Sequence, residues 1–184
     1  VGHDRVGTYI LDFLKANHVD GSNVESSPEG QSHLSLAFLD EGNNADYLFY
    51  KDHAHDSFSM CYPEINRDDI VLFGSFFAIN PAVRPQVSDF LTYAHKCGAI
   101  LYYDVNYRAS HRNEVMKITP NLIENLELAD IVRGSHEDFE ILYRQNDAAK
   151  VYHSEISFYC KKFICTRGKE PISVYAENDF HKDY

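Results

Sequence analysis

The chain has 184 residues, enough for one domain or one domain with a small appendage, and enough to bury roughly 70% of its unfolded surface without a disulfide or metal staple. Apolar residues make up 44% and charged residues 24%, the balance of a soluble globule. The formal charge of −11 repels polyanions and argues against nucleic acid or an anionic membrane as the main partner, so any phosphate site must be built locally from a few cations and backbone N–H groups.

Residues 5–16 place Val6, Ile10, Phe13 and Leu14 on one helical stripe, closed by Asn17 and Asp20-Gly21. Leu34 to Leu39, the turn Asp40 to Asn44, and Tyr47 to Tyr50 predict a hairpin. Ile70 to Ile79 is nearly all apolar, which predicts a strand at the centre of a parallel sheet covered on both sides. Pro81 and Pro85 then open a helix with Val87, Phe90, Leu91 and Ala94 on one face, and Gly98 closes it. Ala99 to Tyr103 follows as a second buried strand, joined to the first by a right-handed crossover. Thr119-Pro120 starts a helix that buries Leu122, Ile123 and Leu126. Ala129 to Val132 is a short strand, and Ser135 caps a helix carrying Phe139, Leu142 and Tyr143. Phe163 to Thr166 and Ile172 to Ala176 are two further strands around the turn Gly168 to Pro171. The alternation predicts an α/β fold: a doubly wound, Rossmann-like, mostly parallel sheet flanked by helices, with a small β element near the N-terminus.

Several functions are disfavoured at this stage. No two glycines are two positions apart, so there is no GxG dinucleotide fingerprint. Gly2 and Gly7 have P-loop spacing, but Thr8 stands where lysine is required. There is no GxSxG nucleophile elbow, no apolar run long enough to span a bilayer and no signal-peptide pattern. Cys61, Cys97, Cys160 and Cys165 form no CxxC pair and lie in or beside apolar runs, as reduced, partly buried thiols of a cytoplasmic protein would.

Four constellations could carry chemistry. Asp104, Asn106 and Arg108 alternate directly after a buried strand, where open α/β sheets bind ligands. Arg108 suits an anion or sugar hydroxyls, and Asn106 can donate and accept. The competing reading makes them turn caps and a surface cation. Arg133 to Asp138 follows the next strand, and Ser135 with Asp138 reads either as a capping box or as part of a metal–water network near phosphates. Thr166-Arg167-Gly168 puts a hydroxyl and a tight turn at a strand end. His53 and His55 share one face of an extended segment, which could bind zinc, but no Cys or further His lies nearby in sequence, which favours a solvated polar loop.

Taken in order, these segments resemble the PfkB (ribokinase-like) carbohydrate kinases. Gly2-x-Asp4-x-x-Gly7 is similar to that family's GxDxxG segment. Pro28 to Leu39 with Phe49-Tyr50-Lys51-Asp52 is similar to its β-lid, Asp104-x-Asn106-x-Arg108 to its DxNxR motif, Ser135 to Asp138 to its NxxE motif and Thr166-x-Gly168 to its Thr-x-Gly motif. The fructokinase branch looks nearest. The resemblance implies a ribokinase-like α/β domain over residues 1–184 with residues about 31–60 as the lid. It further implies transfer of the γ-phosphoryl group of ATP to a sugar hydroxyl with Mg2+. Phe49, Lys51 and Arg108 would contact the sugar. Asn106, Thr166 and Gly168 would line the phosphate and nucleotide site, and Asp138 would order Mg2+-bound waters. Ser135 and Asp138 depart from Asn and Glu, which shortens that motif's reach. The family's N-terminal strand and the GAGD segment with its catalytic base have no counterpart in these residues, so the chain reads as an incomplete, central part of the domain, inactive by itself. A lid-mediated homodimer is implied as well. The alternatives are a 2-keto-3-deoxygluconate kinase or ribokinase of the same family, or a non-catalytic ligand-binding module.

Overall fold

A computed structural model describes residues 1–28, 30–40, 45–50 and 61–184, with Ala45 described in its backbone alone. The chain divides into two compact units, Val1–Pro63 and Glu64–Tyr184.

In the first unit, helix α1 spans Arg5–Ala16 and strands β1 (Leu34–Leu39) and β2 (Ala45–Tyr50) pair antiparallel, with Leu36 opposite Leu48. Asp4 organises the start of this unit. Its carboxylate accepts the Gly7 N–H at 2.7 Å as the N-cap of α1, and it also accepts the Ser32 N–H at 2.7 Å and the Ser32 hydroxyl at 2.9 Å. The Ser32 hydroxyl in turn accepts the Gly2 N–H at 2.9 Å. The Gly2-x-Asp4-x-x-Gly7 segment is thus a hydrogen-bonded knot joining a helix start to the strand-bound segment 30 residues downstream. These bonds hold the Asp4 carboxyl at about 2, chiefly through the Gly7 and then the Ser32 backbone N–H.

The second unit holds a six-stranded sheet in the order β3 (Ile70–Gly74), β4 (Ile100–Asp104), β5 (Ile131–Ser135), β6 (Phe163–Arg167), β7 (Glu170–Ala176) and β8 (Phe180–Asp183). β3 to β6 run parallel, and β7 and β8 are added antiparallel. Helices α2 (Ser75–Ile79), α3 (Arg84–Cys97), α4 (Val115–Leu128), α5 (His136–Tyr143) and α6 (Ala148–Val151) fill the connections. Alternate residues Leu101, Tyr103, Val132, Phe163, Cys165 and Tyr175 are buried. Ile118, Leu122 and Leu126 of α4 and Phe139 of α5 belong to the same core as Tyr103, Val132 and Phe163. Phe139 meets Phe163 edge to face at 5.3 Å. Each such buried side chain contributes roughly 1.5–3 kcal/mol.

Three expectations are corrected. The run Ile70 to Ile79 is not one strand: β3 ends at Gly74 and α2 starts at Ser75. Among the described residues β3 pairs with β4 alone, and Ile70 and Leu72 are each 68% exposed. The helix placed at Thr119-Pro120 begins at Val115 and carries Pro120 inside it. Of the four thiols, Cys160 and Cys165 are buried, but Cys61 is exposed. The unit is also held by a polar network that composition does not announce. Buried Arg84 donates to the Ala78 carbonyl at 2.7 Å and to Asn125 Oδ1 at 2.6 Å, and pairs with Glu124 at 2.7 Å, tying α2, α3 and α4 together.

Candidate functional site

Parallel strands end on a common edge, so the residues at and just after the ends of β3, β4, β5 and β6 are brought together by the fold itself. Register places Gly74 beside Asp104, Asp104 beside Arg133, and Ser135 beside Thr166. Period-two alternation then puts the Asp104 and Arg133 side chains on one face.

Arg133 is the hub. Its Nη1 donates to both oxygens of Asp104 at 2.9 and 3.1 Å, and its Nη2 donates to the Thr166 hydroxyl at 3.1 Å. Burial opposes the guanidinium charge, but the Asp104 hydrogen bond and charge outweigh it and hold the group above its ordinary value. A row of acid, cation and hydroxyl thus crosses three strands. Asp104 and Thr166 stand out in the sequence, whereas Arg133 has no assigned role there. Its register opposite Asp104 was the missing signal.

Asn106 and Arg108 follow β4. The Asn106 amide donates to the Ser75 hydroxyl at 3.0 Å, which brings the start of α2 to the same edge. Arg108 is exposed and makes no ion pair with a described residue. Gly168, at φ +63, makes the tight β6–β7 turn and leaves open space where a Cβ would be.

Asp138 sits at the start of α5. The capping box is present: the Ser135 hydroxyl accepts the Asp138 N–H at 3.2 Å, and Asp138 Oδ2 accepts the Ser135 N–H at 2.6 Å. Its other oxygen, Oδ1, accepts the Tyr107 N–H at 2.7 Å. The resemblance places this carboxylate among metal-bound waters; in the structure both oxygens are taken by protein donors and the residue is 6% exposed. Asp104 is likewise held by Arg133. Among the described residues no group of three or more His, Cys, Asp or Glu is arranged to hold a metal.

Beside this edge, the His111 ring stacks on Phe76 with centroids 3.7 Å apart, and its Nδ1 lies 2.9 Å from Glu114 Oε1. Neither residue stands out in the sequence, because the contact joins the 3₁₀ turn 109–114 to α2. An open cavity of about 430 Å³, lined by Tyr152, His153, Lys161 and the turn 176–179, lies at the opposite, amino end of β6. Phe49 lies half-exposed on β2 of the first unit, whereas Lys51, His53 and His55 fall outside the described residues. No helix among the described residues is long and apolar enough to cross a membrane.

The model of the pfkB family of carbohydrate kinases matches residues 1–182. A 5-dehydro-2-deoxygluconokinase of Geobacillus thermodenitrificans is 27% identical over 96% of this chain and 55% of its own length. An Arabidopsis thaliana protein named "Probable fructokinase-6, chloroplastic" is 23% identical over 97% of this chain and 48% of its own. Among solved structures, the fructokinase of Vibrio cholerae O395 in a fructose-, ADP- and calcium-bound form superposes with a TM-score of 0.83 at 19% identity, covering all of this chain and 60% of that one. The chain spans about half the length of the curated relatives it matches. With the motifs in order along the chain and a ribokinase-like arrangement of strands and helices around them, the chain belongs to the pfkB family of carbohydrate kinases.

Proposed function

We propose that the protein containing this chain is an ATP-dependent sugar kinase of fructokinase-like type, transferring the γ-phosphoryl group to a sugar hydroxyl. The observation that carries the reading is the convergence of Asp104, Asn106, Arg108, Arg133 and Thr166 at the carboxyl edge of four parallel strands. Phosphoryl transfer asks a protein for positioning and charge neutralisation more than for covalent chemistry. Arg108, exposed and unpaired among the described residues, is the cation free to meet the sugar or its transferring phosphate. Asn106 lines the phosphate site, and Thr166 with Gly168 faces the nucleotide. Asp138 holds the loop after β4 and keeps the role that the resemblance gives it, ordering waters of a Mg2+ bound by the ATP phosphates. Phe49 and Lys51 keep the sugar-contacting role that the resemblance gives them. The β1–β2 hairpin exposes Leu36, Phe38, Tyr47, Leu48 and Tyr50, which supports a homodimer formed through it.

A second reading has its own support: a relative at 27% identity is a 5-dehydro-2-deoxygluconokinase. On that reading the substrate is a keto-deoxy sugar acid, and Arg108 holds its carboxylate. The test is ATP consumption by the full-length protein over fructose, ribose and keto-deoxy sugar acids. Turnover of fructose supports the first reading and turnover of an acid the second. No turnover of any sugar overturns both.

A further inference from the structure

Two residues at the ligand-binding edge hold backbone conformations that favour glycine, yet neither is glycine. Ser75, the first residue after β3, has φ +58, and Asn106, two residues after β4, has φ +37. Strain of this kind persists where the surroundings over-determine it, and it concentrates at sites of function. Here the two strained residues bond each other: Asn106 Nδ2 donates to Ser75 Oγ at 3.0 Å. The approach depends on Gly74, where a Cβ would overlap the carbonyl oxygen of Asp104. The Ser75 hydroxyl is not spent on capping its own helix, because Gly74 is the N-cap and provides no side chain.

An amide has two N–H donors and one carbonyl acceptor. Ser75 takes one N–H. The bond anchors one end of the amide and leaves an N–H donor and a carbonyl acceptor without a partner among the described residues.

We propose that Ser75 is a positioning residue for Asn106, and that the amide it orients recognises neighbouring hydroxyls of a polyhydroxylated ligand, one donating to Oδ1 and one accepting from Nδ2. This rests on the sugar kinase reading and assigns Asn106 a share in sugar recognition that Ser75 controls.

The test uses the full-length enzyme with Ser75→Ala, Ser75→Gly, Asn106→Ala and Ser75→Gly/Asn106→Ala. Ser75→Gly removes the hydroxyl and relieves the left-handed backbone, whereas Ser75→Ala removes the hydroxyl and keeps the strain. The inference expects both to raise KM for the sugar about tenfold, the size of one oriented hydrogen bond, and to raise KM for ATP by a smaller factor. It expects the melting temperature of Ser75→Gly to be unchanged or raised, and the double variant to be no worse than Asn106→Ala. A Ser75→Gly enzyme with a wild-type sugar KM overturns it, as does a loss that adds fully to that of Asn106→Ala. Absence of turnover in the wild-type enzyme instead overturns the kinase reading and this inference with it.

Discussion

Asp138 Oδ1 accepts the backbone N–H of Tyr107 at 2.7 Å, so the first turn of α5 holds the loop that carries Asn106 and Arg108. The second oxygen is occupied by the Ser135 N–H and hydroxyl. Asp138→Ala strands the buried N–H of Tyr107 and the half-buried N–H of Ser135, and each such loss costs about 1–3 kcal/mol. A total near ~3 kcal/mol lowers the melting temperature by roughly 6–12 °C in a chain of this size. Asp138→Asn keeps one acceptor and falls between the two. Thermal unfolding of the three proteins checks the order; equal melting temperatures would remove the tethering role.

The bridge from Arg133 to Asp104 and Thr166 yields a second prediction. Asp104 and Arg133 are each about one-third exposed, so solvent screens the pair, and it merits about 1 kcal/mol rather than the worth of a buried ion pair. A double-mutant cycle with Asp104→Asn and Arg133→Gln, read by urea unfolding, is expected to give a coupling of that size. Arg133→Lys supplies a charge to Asp104 but cannot also reach Thr166 in the forked geometry, and it recovers only part of the loss. A coupling near zero would show that the row is an arrangement of neighbours without energetic connection.

The strand–helix alternation was legible because each buried strand is an apolar run and each helix has a punctuating residue: Pro85 near the start of α3, Gly98 at its left-handed end (φ +84), Ser135 before α5. The break inside Ile70 to Ile79 was not, because apolar periodicity cannot separate a strand from the buried helix that follows it. Its one mark was Gly74, which is there for the close approach of Asp104. The start of α4 was misplaced because proline favours a helix's first turn; the helix instead starts five residues before Pro120. β8 went unread because its exposed residues show no apolar alternation, although Asn178 and Asp179, both at positive φ, supply the hairpin turn. At the site, residues within one motif could be found from spacing. Arg133 with Asp104, Ser75 with Asn106 and Asp138 with Tyr107 could not, since each pair is separated by about 30 positions and joined only by strand register.

Arg108 separates activity from stability. It is exposed and unpaired among the described residues, so Arg108→Ala is expected to change unfolding free energy by less than about 0.5 kcal/mol. If it meets charge that develops during phosphoryl transfer, kcat/KM of the full-length enzyme falls about 10²-fold. A greater fall for sugar acids than for neutral sugars marks the carboxylate-binding reading. Unchanged kcat/KM for every substrate excludes Arg108 from the site.

The thiols give a prediction about the second unit's core. Burial pushes the Cys165 thiol up to about 11 and raises that of Cys160, so neither supplies thiolate near neutral pH. Cys61 is exposed. A thiol reagent at pH 8 is expected to modify Cys61 within minutes, and Cys160 and Cys165 only with unfolding. Peptide mapping after a short pulse reads this directly, and early labelling of Cys165 would contradict its burial in the core that also holds Tyr175 and Phe163.

Asp4 makes a prediction about acid. Its folded-state pKa is about 2, below the ordinary carboxylate value of about 3.9, because the Gly7 and Ser32 N–H groups bond the charged form. A depressed pKa contributes stability that is fully present above the unfolded value and is lost as protons bind the folded carboxylate. The contribution therefore holds at pH 5 and above and fades between about pH 4 and pH 2. Asp4→Asn retains an acceptor for one N–H but has no charge to lose. The difference in urea midpoint between wild type and Asp4→Asn is expected to be constant from pH 7 to pH 5 and to shrink toward pH 2. A difference that stays the same down to pH 2 would mean that the knot depends on the shape of the side chain and not on its charge.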